Sequence, residues 1–240
     1  MTMREDRVRA GAPSERARFR DLVRTFRTGV RAARRSRVVS GLVLVSLLAG
    51  LSTEVFDRLW TSQVVDAWGG PTAFGITSGA AWFTVFALVG SALALLASLL
   101  VDRWRPAMLR HAHPHRLLAV LTALQVAGVV GFATSGSLAP ALAAMWVRDA
   151  ARAVAQPVQA AWLHRSIDSD TRATVASLTG QADALGQVVG GPPLGALASR
   201  TSVPLALLVS AAVYAPAIEV FRRLRPNPRP TGHEAAPRNS

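Results

Sequence analysis

The chain of 240 residues is half apolar, with a mean hydropathy of +0.29, yet it carries a net charge of +13, a combination that soluble proteins rarely show. It contains no cysteine, which excludes disulfides, thiolate metal ligands and cysteine nucleophiles. Because the charge is concentrated at both ends and in short loops, an all-α membrane protein is predicted, and the arginine excess favours anionic lipid headgroups over nucleic acid as a partner.

Residues 1–37 are predicted to form a basic cytoplasmic segment. They hold 12 arginines against four acidic residues and lack the pattern of a cleaved secretory signal. Between Ser14 and residue 37, apolar positions recur with helical spacing among the arginines, which indicates an amphipathic helix lying in the membrane interface. A solvated linker helix is the alternative. The apolar positions are Phe19, Leu22, Val23, Phe26 and Val30.

Six hydrophobic segments follow, each close to the ~20 residues that a bilayer-spanning helix needs. They cover residues 38–56, 76–101, 117–133, 140–163, 174–198 and 203–221, and residues 222–240 are predicted to be a disordered cytoplasmic tail. If the loops alternate between two sides, 23 of the 27 arginines fall on one side, two fall on the other, and two lie within a helix. This asymmetry predicts a multi-pass protein of the cell membrane with both termini in the cytoplasm.

The fourth and fifth segments carry charges where each costs about 2.5–3.5 kcal/mol at a helix centre, which points to a polar path. The spacing favours an Asp149–Arg152 pair along the helix, and Asp183 is then the predicted partner of Arg148. The alternative is a structural charge network that holds the helices together. The predicted substrate or coupling path comprises Arg148, Asp149, Arg152, Gln156, Gln159 and Asp183.

Glu54 is a further candidate for this path. It lies at the predicted end of the first helix, together with Asp57 and Arg58. A partly desolvated carboxylate there would exchange protons near neutral pH. The alternative is a helix-capping salt bridge between Glu54 and Arg58, which have the favourable i, i+4 spacing.

The fifth segment is unusually rich in small residues and contains a proline pair. Two G-x-x-x-G spacings predict close helix packing, and the prolines are expected to break or kink the helix. Packing alone explains the glycines, while packing with a kink also suits a gating helix. The residues concerned are Gly186, Gly190, Gly191, Pro192, Pro193 and Gly195.

The chain carries no recognisable enzyme signature. It lacks the phosphate-binding, hydrolase and zinc-protease motifs, and the alternate histidines at residues 111–115 have no acidic ligands nearby. No enzymatic activity, cofactor or metal site is therefore predicted.

Two stretches resemble the tenth and eleventh helices of major facilitator superfamily transporters, especially bacterial drug-efflux-like members. They read R-D-A-A-R-A-V-A-Q-P-V-Q-A-A-W-L and R-A-T-V-A-S-L-T-G-Q-A-D-A-L-G-Q-V-V-G-G-P-P-L-G. Residues 50–60 are similar to the end of the seventh helix. Asp102 and Arg103 begin a partial match to the family's cytoplasmic D-R-x-G-R gating loop, with Arg105 in place of its glycine.

The resemblance implies the C-terminal six-helix half of such a transporter. Its implied function is secondary transport of a small organic solute or drug by alternating access, with protons as the expected coupling ion. It also implies pairing with a second six-helix half or with another copy of this chain. Two alternatives remain, a truncated non-transporting membrane component that packs with partner membrane proteins, and an intramembrane enzyme.

Overall fold

A computed structural model describes residues 36–69, 78–111, 113–165 and 169–224, and these are helical apart from short connections. The prediction of an all-α chain is confirmed for this part of the protein. The predicted N-terminal amphipathic helix and the predicted tail beyond residue 224 lie outside the described residues. The helices are α1 (Arg37–Trp68), α2 (Gly79–His111), α3 (Pro114–Thr134), α4 (Leu138–Arg165), α5 (Ser169–Arg200), α6 (Val203–Tyr214) and α7 (Pro216–Arg223).

The ends of two helices follow from local chemistry. The Ser36 hydroxyl accepts a hydrogen bond from the Val39 amide at the start of α1, and α1 ends at Gly69, whose φ of +67° suits a glycine cap. At the start of α6, the Ser202 hydroxyl accepts from the Leu205 amide, and Pro204 occupies the first turn. These caps satisfy backbone groups that a helix end would otherwise leave unpaired.

Glycines determine how closely α5 approaches α1. A Cβ atom at Gly50 would overlap the Asp183 carbonyl, and one at Gly186 would overlap the Leu47 carbonyl. A Cβ at Gly190 would lie 2.5 Å from the Leu51 side chain. The two helices run side by side in the same direction, and their backbones meet where side chains are absent.

A second close contact joins α3 to α4, where a Cβ at Gly128 would lie 2.7 Å from both the Ala144 carbonyl and Arg148 Cβ. Helix α2 lies at the edge of the bundle and packs on α4. The Trp146 indole donates a hydrogen bond of 3.2 Å to the Phe86 carbonyl, and the same indole faces Gly90. Between residues 85 and 100 most other large side chains of α2 are exposed, as expected for a helix that faces lipid.

Two apolar clusters fill the bundle at opposite ends. One surrounds Leu42, Leu118 and Phe221, and the other surrounds Phe56, Phe132 and Leu207. Tilted or edge-on ring contacts at 5.2 and 6.1 Å join Phe132 to Phe56 and to Trp68 in the second cluster. Buried polar residues such as Thr122 and Ser210 lie within the bundle. The Ser210 hydroxyl donates a hydrogen bond of 2.8 Å to the Leu207 carbonyl of its own helix.

Four stretches of the described chain are long and apolar enough to span a membrane, namely Arg37–Trp68, Gly79–Val101, Pro114–Thr134 and Val203–Arg223. The last of these combines α6 and α7. Helices α4 and α5 are long enough but less apolar, because α4 carries charged residues and α5 is rich in Gly, Ser, Thr and Gln. These four stretches are those of a helical membrane protein, and the predicted number of six crossings stays a prediction.

Several predicted boundaries are wrong. Helix α1 continues to Trp68, so Glu54 and Asp57 lie in its interior and not at its end. The predicted loop after residue 101 is largely helical, since α2 extends to His111; Arg103 is exposed there, and the side chain of Asp102 lies outside the described part. Helix α5 also runs unbroken through Pro192 and Pro193.

Candidate functional site

Arg148 is the most deeply buried charge in the described part of the chain, with 4% of its surface exposed. One guanidinium nitrogen donates to Asp149 Oδ1 at 2.7 Å, and the other lies 3.5 Å from Asp57 Oδ1. The guanidinium carbon also lies 4.0 Å from the centroid of the Phe56 ring. A permanent cation is thus held inside an apolar bundle by two carboxylates and an aromatic face.

The predicted pairing of these charges is wrong in both parts. Arg148 pairs with Asp149 and Asp57 and not with Asp183, while the carboxylate nearest to Arg152 is Asp57, at 3.9 Å. Asp183 instead accepts a hydrogen bond of 2.8 Å from Gln187, one turn along its own helix. The reason is helix order, because α5 packs against α1 and α6 and therefore does not present Asp183 to Arg148.

Asp57 is the residue that the predicted path omits. It lies one residue beyond the predicted first segment, yet it is the carboxylate that Arg148 and Arg152 share. A signal for it exists in the sequence. Apolar residues continue at helical spacing past Asp57, and this pattern extends the helix beyond it. The apolar positions are Val55, Phe56, Leu59, Val64 and Trp68.

The first of two cavities beside α4, the large cavity, lies between α1, α2 and α4 and has a volume of about 510 Å³. All four charges of the cluster, Asp57, Arg148, Asp149 and Arg152, contribute to its wall. The rest of the wall is mainly apolar and aromatic. It includes Phe56, Trp60, Phe86, Met145 and the small residues Gly90 and Ala94. This size and mixture are typical of sites for small organic molecules.

The second, the polar cavity, is formed by residues of α1, α3, α4, α5 and α6 and has a volume of about 330 Å³. Gln159 and Asp183 line it, and Gln159 donates to the Ser46 hydroxyl at 3.4 Å. Arg152 and Gln156 border both cavities. Helix α4 therefore forms a wall with a solute-sized space on each side, and these two side chains lie at the boundary.

Glu54 lies apart from both cavities. It accepts a hydrogen bond from Arg58 one turn along α1, and the Arg58 side chain is largely exposed. The predicted Glu54–Arg58 salt bridge is therefore present, although not at a helix end. The structure does not bring Glu54 into the charge cluster around Arg148.

The predicted packing residues of α5 separate into two groups. Gly186 and Gly190 are buried against α1. A Cβ atom built at Gly191 would lie 3.5 Å from the Glu54 side chain. Gly195 has no such neighbour within 4 Å, and Pro192 and Pro193 are exposed. The first G-x-x-x-G spacing thus packs against a helix, whereas the second leads to an open surface.

No three His, Asp or Glu side chains of the described residues converge into a set that could hold a metal ion. The chemistry available at the cluster is the exchange of ion pairs, hydrogen bonding to polar solutes, and contact of apolar groups with aromatic walls. No protein-family model matches the chain, and a search of curated proteins found no relative.

Proposed function

We propose that this protein is a secondary transporter of the major facilitator type, corresponding to the C-terminal six-helix half. In this proposal α1 to α5 each cross the bilayer once, and α6 and α7 together form the sixth crossing. The large cavity is the substrate space. The solute is a small organic molecule or drug, and alternating access is coupled to protons.

The observation that carries the proposal is the buried Arg148 with its carboxylate partners, next to a cavity of about 510 Å³. Charges in membrane helices are costly and characteristically line substrate or ion pathways. The reduced hydropathy of α4 and α5 fits the same role, because helices that border a wet path need less apolar surface than helices surrounded by lipid.

A second bundle is part of the proposal. The side chains of Asp57 and Arg152 remain 52% and 36% exposed, and Gln156 is also exposed. Hydrocarbon cannot solvate these groups, so water or another polar surface has to cover them in a bilayer. A second six-helix body, either a separate polypeptide or another copy of this chain, would enclose the path.

A non-transporting membrane component that packs with partner proteins is the second candidate. It is favoured by α2, because only 11% of its most apolar window is buried inside the bundle. Such a surface accommodates lipid or a neighbouring helix equally well. On this reading the charges around Arg148 hold α1 and α4 together, and no solute moves.

Transport in reconstituted vesicles distinguishes the two candidates. The full chain is inserted alone, or together with a candidate partner bundle, into vesicles that enclose a pH-sensitive dye, and a panel of organic solutes is added outside. The proposal expects solute-dependent proton flux that Asp57→Asn abolishes. Asp66→Asn, an exposed acid on the same helix outside both cavities, should leave the flux unchanged.

Absence of solute-dependent flux in both preparations, with the chain inserted and helical, would refute transport and favour the packing component. Flux that Asp57→Asn leaves intact would instead show that the path does not pass through this cluster.

A further inference from the structure

The four charges that line the large cavity form two pairs of different character. Arg148 and Asp149 are a closed pair, since their 2.7 Å contact has the length of a strong charge-assisted hydrogen bond and the Arg148 side chain is only 5% exposed. Asp57 and Arg152 are a loose pair, with 3.9 Å between oxygen and nitrogen and much larger exposed fractions. Asp57 is also 3.5 Å from Arg148, beyond the usual length for such a bond.

A loose pair at the wall of a cavity is available to a ligand. We propose that the large cavity binds a small zwitterion with an apolar group, such that Asp57 receives its ammonium and Arg152 its anionic group. The two ligand charges are separated by only a few bonds, because the protein charges are adjacent. This inference rests on the proposed transport function and names the class of its substrate.

Charge balance argues against a ligand that carries only one charge. A cation that paired with Asp57 would leave Arg152 without its nearest carboxylate, and an anion that paired with Arg152 would weaken the compensation of Asp57. An uncompensated charge becomes costly when the ligand and a covering bundle displace water from around it. A zwitterion replaces one long ion pair with two short ones and leaves the site neutral.

The remaining wall suits the apolar part of such a ligand. Phe56, Trp60, Phe86 and Met145 line the large cavity beside the charges. An aromatic or branched apolar group gains free energy by leaving water for such a surface. Among the side chains that line the polar cavity, Tyr214 is the single Phe, Tyr or Trp, and most of the others are small or polar, so the zwitterion is assigned to the large cavity.

Binding to the full chain in lipid nanodiscs, measured by calorimetry, tests the assignment with three matched probes. Phenylalanine carries both charges, 2-phenylethylamine lacks the carboxylate, and 3-phenylpropionate lacks the ammonium. We expect phenylalanine to bind at least about tenfold more tightly than either of the others, the effect of losing one hydrogen bond to a charged group.

Variants of Asp57 and Arg152 test whether these residues contact the ligand, because a merely structural role would not change the relative affinities for the three probes. Asp57→Asn should shift the preference towards 3-phenylpropionate, and Arg152→Gln should shift it towards 2-phenylethylamine. Asp66→Asn should change neither preference. Circular dichroism and elution volume identify a variant that fails to fold. The double variant Asp57→Arg with Arg152→Asp keeps the site neutral, and it should recover phenylalanine binding that the single variants lose.

The inference is overturned if phenylalanine binds no more tightly than both singly charged probes, or if the two variants weaken all three probes alike. The proposed function fails independently. If the chain binds phenylalanine selectively but moves no solute across a vesicle, the binding site is supported and transport is refuted. If the chain transports a lipophilic cation and this transport is unchanged in the Asp57 and Arg152 variants, transport is supported and the zwitterion site is refuted.

Discussion

The contact between α1 and α5 predicts that a single methyl group at Gly186 separates the two helices. A Cβ built at this position overlaps the Leu47 carbonyl and lies 2.9 Å from the Leu51 amide nitrogen, and both are backbone atoms that cannot move by a rotamer change. Gly195 lies on the same helix, and nothing lies within 4 Å of a Cβ built there. The two positions therefore form a matched pair.

The magnitude follows from two terms. Replacing Gly by Ala inside a helix contributes about 0.8–1.0 kcal/mol of helix propensity, and this term is common to both positions. Forcing an extra methyl into a closed contact costs about 1–3 kcal/mol, and only Gly186 has this term. We expect Gly186→Ala to be less stable than Gly195→Ala by about 1–3 kcal/mol, because the propensity terms cancel.

Unfolding of the purified chain by added denaturing detergent, followed by circular dichroism, measures this difference. Both variants are compared with the parent in the same mixed micelles. Gly195→Ala should match or exceed the stability of the parent. If Gly186→Ala is as stable as Gly195→Ala, the close contact of α5 with α1 is refuted, and with it the helix order that separates Asp183 from Arg148.

Three further outcomes are expected. Arg148→Met should destabilise the bundle by about 1.5–3 kcal/mol in the same titration, because it removes the charge-assisted hydrogen bond to Asp149, and Arg148→Lys should lose less; equal losses would contradict a charge-based role. Glu54→Gln should cost under about 1 kcal/mol, the usual limit for an exposed ion pair, and a larger loss would mean that Glu54 has a buried partner. Because the chain has no cysteine, a single introduced cysteine reports whether water reaches its position. In vesicles, Gln156→Cys and Asp183→Cys should react with a hydrophilic maleimide. Val188→Cys should not react, because Val188 is 71% exposed on the apolar side of α5 and would face lipid. Labelling at Val188 but not at the other two would reverse the assignment of wet and lipid-facing surfaces.

The sequence by itself determined the helical architecture and the polar character of two helices. Apolar run length and helical period are local properties, so the predicted segments 117–133 and 140–163 differ from α3 and α4 by at most three residues at either end. The concentration of charge at residues 148–152 is local as well. The predicted spans included all six segments, whereas four stretches of the observed helices are apolar enough to span a membrane, and α4 and α5, which carry Arg148 and Asp183, are not among them.

The tertiary structure decided which charges meet. Gly50 and Gly186 let α5 dock on α1, which directs Asp183 to the polar cavity and leaves Arg148 to Asp57 and Asp149. The inclusion of Asp57 depends on α1 continuing to Trp68, where Gly69 with its positive φ ends the helix. Sequence spacing orders charges only along one helix, whereas contact between helices depends on which surfaces lack side chains. For that reason the residues of the cluster were largely predictable, and their partners were not.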